Sequence, residues 1–487
     1  MNEFFLLTGM LRELVSAPGL VVLVPFAAAT GLGFVADAQA GGWINAAAAT
    51  LAFLLACALP WEPTAGTLLL VDPLAACLAI LTGFLGMTTA WFSRTNIEAQ
   101  ALDTPRLRYH ALFQALLGCM LLALLSNNVL LTWAATGAAG LASVLALALP
   151  RTAGAAGAAS KQFILGGVGL SLALFGSLAL YLAALPILGS GLPALSWNRL
   201  AAAAPACDPA LLDLAFVFLL LGYGAKAGLA PLSGWLPDSQ AAGPLPISAL
   251  LSGGLLNVAL FVILRLRGLL DANPAAIAPG PALMALGLAS LLLAAFSLGA
   301  QRDLRRLFAL SAVAQSGVVA FAFGLGGVAA TFAGLLHLTL HTLARAAVLQ
   351  CVGAAVRLKS GQRVGDIGGL LARHRALGLT LGAGMVALAG LPPFGLFTST
   401  FLVLVATLGH LPWLALPLAL GLAVAGWVMA LRLVSLCLGP PTPDRGPAPG
   451  LAALAPAWGL LAAVLVLGLA MPAPLVAWLA AIAGAAR

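Results

Sequence analysis

About fourteen apolar runs, each about 18 residues or longer, follow one another along this chain. They lie near 18–36, 43–60, 72–93, 110–126, 128–149, 162–186, 211–235, 245–268, 280–300, 306–324, 327–356, 376–409, 412–436 and 453–483. A run of that length crosses the hydrocarbon of a bilayer as a helix. No water is present there to satisfy the backbone, so the helix must satisfy itself. The chain is therefore expected to be an all-α polytopic membrane protein with about 14 transmembrane helices. Of its 487 residues 62% are hydrophobic and 7% charged, which leaves no room for a large soluble domain. The first residues carry acids, Glu3 and Glu13, and no small-residue cleavage site precedes the first run, so no cleaved signal peptide is expected.

The basic residues act on topology. Fourteen of them, from Arg94 to Arg445, fall in loops on one side of the predicted bundle, and five (Arg12, Arg199, Arg265, Arg267, Arg487) on the other. Such a bias places the richer side in the cytoplasm of a bacterial inner membrane and both termini on the periplasmic side. The formal charge of +8 is thus a topology signal, and no nucleic-acid partner is expected. The six cysteines are scattered without metal-ligand or redox spacing, and no Gly-rich phosphate loop occurs. The chain is expected to hold no cofactor and no metal, so any electron transfer belongs to partner subunits.

Two runs are interrupted by glycine and proline: the seventh around Lys226 to Pro231, and the twelfth at Gly390-Leu-Pro-Pro393-Phe-Gly395. Paired broken spans point to inverted repeats. The expected organisation is an N-terminal three-helix segment over 1–109, a first inverted five-helix repeat over 110–270, a second over 271–437, and a C-terminal helix over 438–487.

Lys226 stands inside the seventh run, beside its break. A charged amine in hydrocarbon costs at least about 2.5–3.5 kcal/mol on insertion scales, and such residues mark ion or proton paths. The eleventh run carries His337, His341 and Arg345 at steps of four, hence on one helix face. Two histidines four apart also suit a metal, but no acidic or thiol partner stands nearby in sequence. Asn257, Ser311 and Gln315 add uncharged hydrogen-bonding groups that can glue helices or hold a water chain. Lys161 opens the sixth run, either as a snorkelling end residue or as part of a path. None of the 14 acidic residues falls clearly mid-span.

Several segments carry a family resemblance: Arg108-Tyr-His, Ser126-Asn127-Asn128 through Trp133, Lys226-Ala-Gly-Leu-Ala-Pro-Leu-Ser-Gly-Trp235-Leu-Pro-Asp238, Ala249 through Asn257, Asp303-Leu-Arg-Arg-Leu, His341-Thr-Leu-Ala-Arg345 and Leu-Pro-Pro393-Phe-Gly-Leu-Phe397. With them the chain resembles the antiporter-like membrane subunits shared by respiratory complex I, Mrp cation/proton antiporters and membrane-bound group 4 NiFe hydrogenases, above all the hydrogenase-4 component F type. The resemblance implies two inverted five-helix repeats with broken seventh and twelfth helices. It also implies a lateral proton path in which Lys226, Asn257, His337 and His341 match path positions. Lys161 and Arg345 complete the candidate set. The implied partners are other membrane subunits, a peripheral redox arm and the lipid bilayer.

The chain departs from the family pattern at four places. Gly137 stands where the resemblance implies a glutamate partner for Lys226. Ser399-Thr400-Phe401 stands where an ionisable residue follows the Pro-Pro-Phe-Gly segment. Arg345 replaces a lysine, and Ala314-Gln315 replaces a Glu-His pair. The expected function is a proton-translocating-type subunit of a multi-subunit oxidoreductase. The alternatives are a degenerate structural subunit, and a cation/proton antiporter or inorganic-carbon uptake subunit.

Overall fold

In the computed structural model the chain is described at residue 9 and over 12–35, 37–98 and 106–485. The expectations about Glu3, Arg487 and the absent signal segment concern residues that lie largely outside that range. Among the described residues twelve helices are long and apolar enough to cross a membrane, and four shorter apolar ones accompany them. The chain is a multi-pass membrane protein.

In chain order the helices are α1 (Ala17–Gly31), α2 (Ala38–Ala58), α3 (Pro73–Glu98), α4 (Arg106–Leu125), α5 (Val129–Leu147), α6 (Ala153–Leu188) and α7 (Pro209–Lys226). There follow α8 (Trp235–Ala242), α9 (Leu245–Asp271), α10 (Gly280–Leu298), α11 (Leu304–Leu325), α12 (Gly327–Lys359) and α13 (Arg375–Leu388). The last are α14 (Gly395–His410), α15 (Pro412–Leu438), α16 (Leu451–Leu469) and α17 (Ala473–Ala485). The final apolar run, expected as one helix, holds two: Pro472 cannot continue α16, and the residue before a proline is pushed out of the helical region.

The acids that are missing from mid-span are spent at helix starts, where the first N–H groups have no helical partner. The carboxylates of Asp37, Asp72, Asp208 and Asp303 accept from the backbone N–H groups that open α2, α3, α7 and α11. Asn128 and Thr152 do the same for α5 and α6.

Both interrupted runs break in the same way. After α7 the N–H of Gly228 reaches Ala225 O and that of Leu229 reaches Gly224 O. After α13 the N–H of Gly390 reaches Ala387 O and that of Leu391 reaches Val386 O. Each is a Schellman end, and each turns on a glycine at positive φ, 73° at Gly228 and 70° at Gly390. A side chain at either position would strain the turn.

Three helices lie almost wholly inside the bundle: 100%, 94% and 89% of the apolar windows of α9, α11 and α12 are buried. Those three carry Asn257, Gln315, His337, His341 and Arg345, so the polar residues sit at the centre, away from lipid. Helices α10 and α11 meet backbone to backbone, because Gly280, Gly287, Gly317 and Gly324 leave no side chain between them.

Loop contacts respect the two sides that the basic residues define. On the richer side Arg357 donates to Thr95 O, Leu304 N to Gln362 O, and Arg432 to Gly299 O. On the other side Asn127 meets Asn198, and Asn273 donates to Ala204 O. There Glu13 also accepts from Thr67, Leu68 and Leu69 beside a two-residue hairpin, Thr64–Ala65 against Leu70–Val71.

The Pro-rich loop before α16 is clamped to the richer side by Asp444, whose carboxylate lies 2.6 Å from Lys359 Nζ and 3.0 Å from His374 Nε2. The bond from Lys359, and next that from His374, hold the Asp444 carboxyl below its ordinary range. A carboxyl with a lowered pKa contributes above its unfolded value and is lost as pH falls through the folded one. The clamp is therefore intact at neutral pH and releases only below the usual aspartate range, about 4. Asp444→Asn is expected to release it at neutral pH, read as faster amide exchange at Thr442, Arg445 and Gly446; unchanged exchange would exclude the clamp.

Candidate functional site

Lys226 is the last residue of α7, and the break aims its side chain inward. Trp235 Nε1 donates to Ala225 O at 3.0 Å, and Ala230 N donates to Ser290 Oγ at 2.9 Å, so both flanks of the break are fixed. Lys226 is 6% exposed. It lies between α5 and α6 because two glycines leave room: a Cβ on Gly140 or Gly166 would stand 2.8 or 2.9 Å from Nζ. Nζ makes no hydrogen bond or ion pair with another described residue. It lines a cavity of about 60 Å³ whose wall includes Gly137 and Gln162. The position where the resemblance implies a carboxylate thus lines the same cavity as Lys226 and carries no side chain.

Gln162 Nε2 donates to Ser143 Oγ at 2.6 Å, and that hydroxyl donates to Gly140 O at 2.6 Å. Gln162 Oε1 is buried without a partner. This leaves an acceptor beside the cavity free for water or for the amine. Lys161, one residue earlier, is elsewhere: its side chain is 44% exposed and its Nζ lies 2.6 Å from Asp238 Oδ2. Arg306 holds the other oxygen at 2.8 Å. Lys161 therefore stands at the rim of the richer side and pins α8, the second half of the broken helix, to α6 and α11.

The α12 stripe is a second cluster. His337 Nε2 lies 2.7 Å from Gln315 Oε1, and Nδ1 lies 2.9 Å from Ser399 Oγ. An amide oxygen only accepts, so the neutral ring carries its hydrogen on Nε2 and Nδ1 accepts from the serine. A second proton on Nδ1 reverses that bond, and the serine hydroxyl then donates to Leu396 O, 3.0 Å away. Both protonation states of His337 are satisfied without moving a heavy atom, which suits a relay.

The His341 ring lies parallel to that of His337, with centroids 6.3 Å apart and planes 5° apart. Its Nε2 is buried without a partner. One turn on, Arg345 is fully buried and donates to Phe308 O and to Gln240 Oε1, tying α12 to α11 and α8. Asn257 Nδ2 donates to Thr342 Oγ1 at 2.8 Å and to Gly253 O at 2.6 Å, joining α9 to α12. The Gly253 bond falls within a π-turn over Leu251–Leu255, an opening of the helix ladder that often marks a functional site.

The structure thus brings His337, His341 and Arg345 together and links the stripe to Asn257 through Thr342. It keeps Lys226 in a separate cavity and Lys161 at the rim. Sequence reasoning missed Ser143, Gln162, Gln240 and Gln350. The signal was present, since each is a polar residue in or beside an apolar run. Gln350 is 1% exposed with both amide atoms unpartnered.

The family described as "NADH:quinone oxidoreductase/Mrp antiporter, TM" matches residues 126–425, a span that takes in both broken runs and the whole α12 stripe. The chain belongs to that family. Among its members, the hydrogenase-4 component F homolog of Methylacidiphilum infernorum (isolate V4) is 44% identical over 433 residues, 88% of this chain and 91% of the relative. NADH-quinone oxidoreductase subunit N of Desulforudis audaxviator is 32% identical over 71% of this chain and 67% of the relative. A subunit of the membrane-bound sulfane sulfur reductase, an archaeal respiratory membrane complex, superposes with a TM-score of 0.85 at 21% identity, covering 97% of this chain and 98% of the other. That last likeness shows the shared fold. In this chain the antiporter-like fold carries Gly137 in the wall of the cavity that holds its buried lysine.

Proposed function

We propose that this chain is the proton-translocating-type membrane subunit of a multi-subunit oxidoreductase, hydrogenase-4-like or NADH:quinone oxidoreductase-like. Partner subunits carry the redox centres; this chain carries a lateral proton path. The observation that supports this most is Lys226, an unpaired buried amine beside a cavity at a helix break, a costly arrangement without a use. The path runs through Lys226, Asn257, His341 and His337, with Arg345 fixing the stripe and Lys161 at the rim. Water completes it where buried groups lack partners, at Gln162, His341 and Gln350.

The same reading places the chain in a bacterial inner membrane with the arginine-rich side in the cytoplasm and both termini periplasmic. It divides the chain into a three-helix segment (1–109), inverted repeats over 110–270 and 271–437, and a C-terminal part (438–487). The matching breaks at Gly228 and Gly390 support the repeats. The test is proton translocation by the assembled complex in sealed vesicles: Lys226→Ala and His341→Ala both lower it, and intact translocation in both removes the path from this chain.

One observation favours a second reading, a structural subunit that moves no ions. Arg345 is tied by hydrogen bonds to Phe308 O and Gln240 Oε1, and no carboxylate of the described residues lines the Lys226 cavity. Gly137→Glu together with Thr400→Glu separates the two. Where Lys226→Ala leaves translocation intact, increased flux in the double variant argues for a path awaiting its carboxylates, and unchanged flux with normal assembly argues for the scaffold.

A further inference from the structure

The cavity at Lys226 is open on one side. Its wall includes Leu141 and Phe163, which are 49% and 59% exposed on the outer face of α5 and α6. The buried amine is therefore reached from the flank of the bundle, through a gap that Gly137, Gly140, Gly166 and Gly167 keep free of side chains. Small residues at such a seam let a further helix approach closely. The volume, about 60 Å³, holds a few waters or one carboxyl group.

We propose that a transmembrane helix of a neighbouring membrane subunit seats on this face and inserts a carboxylate to pair with Lys226. The partner's chemistry follows from charge: an unpaired ammonium in hydrocarbon calls for an anion, and every wall residue of the cavity other than Lys226 is uncharged. A second copy of this chain does not fit, because it has no acid clearly mid-span to give. The counter-ion that Gly137 fails to supply within the chain is supplied across a subunit boundary, which makes the proton path complete only in the assembled complex. This inference rests on the membrane-subunit reading above.

The test places p-benzoylphenylalanine at Phe163, a nearly isosteric exchange, and separately at Leu145 on the same face, in the assembled complex. Photocrosslinked peptides are then identified by mass spectrometry. The expected adduct is a transmembrane peptide of a neighbouring subunit with Asp or Glu inside its apolar run. Adducts to phospholipid or fatty acid alone, or to an acid-free span, overturn the proposal. Replacing the identified acid by alanine is expected to lower proton translocation, and Gly137→Glu to restore it in cis. The nearest atom to a Cβ at 137 is Leu170 Cδ2, the end of a flexible chain 2.7 Å away. Failure of that rescue in a complex that assembles also overturns the pairing. The crosslink is read whether or not the complex moves protons, so its failure and the failure of the proton-path reading are distinct results.

Discussion

Gly317→Val will leave almost no folded chain in the membrane. A Cβ at 317 would stand 2.5 Å from Gly287 O and 2.9 Å from Leu291 N. These are backbone atoms of α10, which cannot swing aside as a side-chain end does. The same contact recurs along the seam, where a Cβ on Gly287 would meet Phe321 N at 2.5 Å and one on Gly324 would meet Met284 N at 2.6 Å. Relief at one point therefore separates the two helices along their length. Overpacking a core costs about 1–3 kcal/mol where side chains can adjust, and more where they cannot. Gly459→Val in α16, with nothing within 4 Å of its Cβ, is the matched control and keeps normal levels. Membrane-inserted protein, measured by quantitative blotting of both variants, checks the contrast; equal levels would mean that the seam is not close-packed.

Trp235→Ala carries the second large effect. Trp235 is 1% exposed, and its indole closes the break by bonding Ala225 O, one residue before Lys226. Loss of a buried tryptophan costs about 3–5 kcal/mol. Trp235→Phe keeps most of the packing and loses one hydrogen bond, about 1 kcal/mol. Thermal unfolding in detergent is expected to rank wild type above Trp235→Phe above Trp235→Ala. Proton translocation should follow the same order, because a loosened α7 end no longer holds the amine at its cavity. Equal midpoints for Ala and wild type would contradict the anchoring role.

Much of this was legible from the sequence. The apolar runs located the helices, since a span's length and apolarity are what a bilayer reads. The two breaks announced themselves through glycine and proline, and Lys226 and the His337–His341–Arg345 stripe through their cost in hydrocarbon. The details of pairing were not legible. Spacing puts His337 and His341 on one face but says nothing of Ser399 and Gln315, which arrive from other helices. Lys161 could be a snorkelling end residue or part of a path, and no spacing shows that its partner is Asp238, 77 positions away in the chain. The opening beside Lys226 is made of glycines, whose contribution is an absence that no hydropathy reading registers. The last run hid a break because Pro472 lies between two stretches that are equally apolar.

The most direct measurement is the proton-to-electron ratio of the assembled complex in sealed vesicles, wild type against Lys226→Ala. Electron transfer is followed in the same sample. A lysine that carries this chain's proton path predicts a lower ratio at an unchanged rate of electron transfer. An unchanged ratio in fully assembled Lys226→Ala complex would contradict it, and would leave the chain as a membrane scaffold.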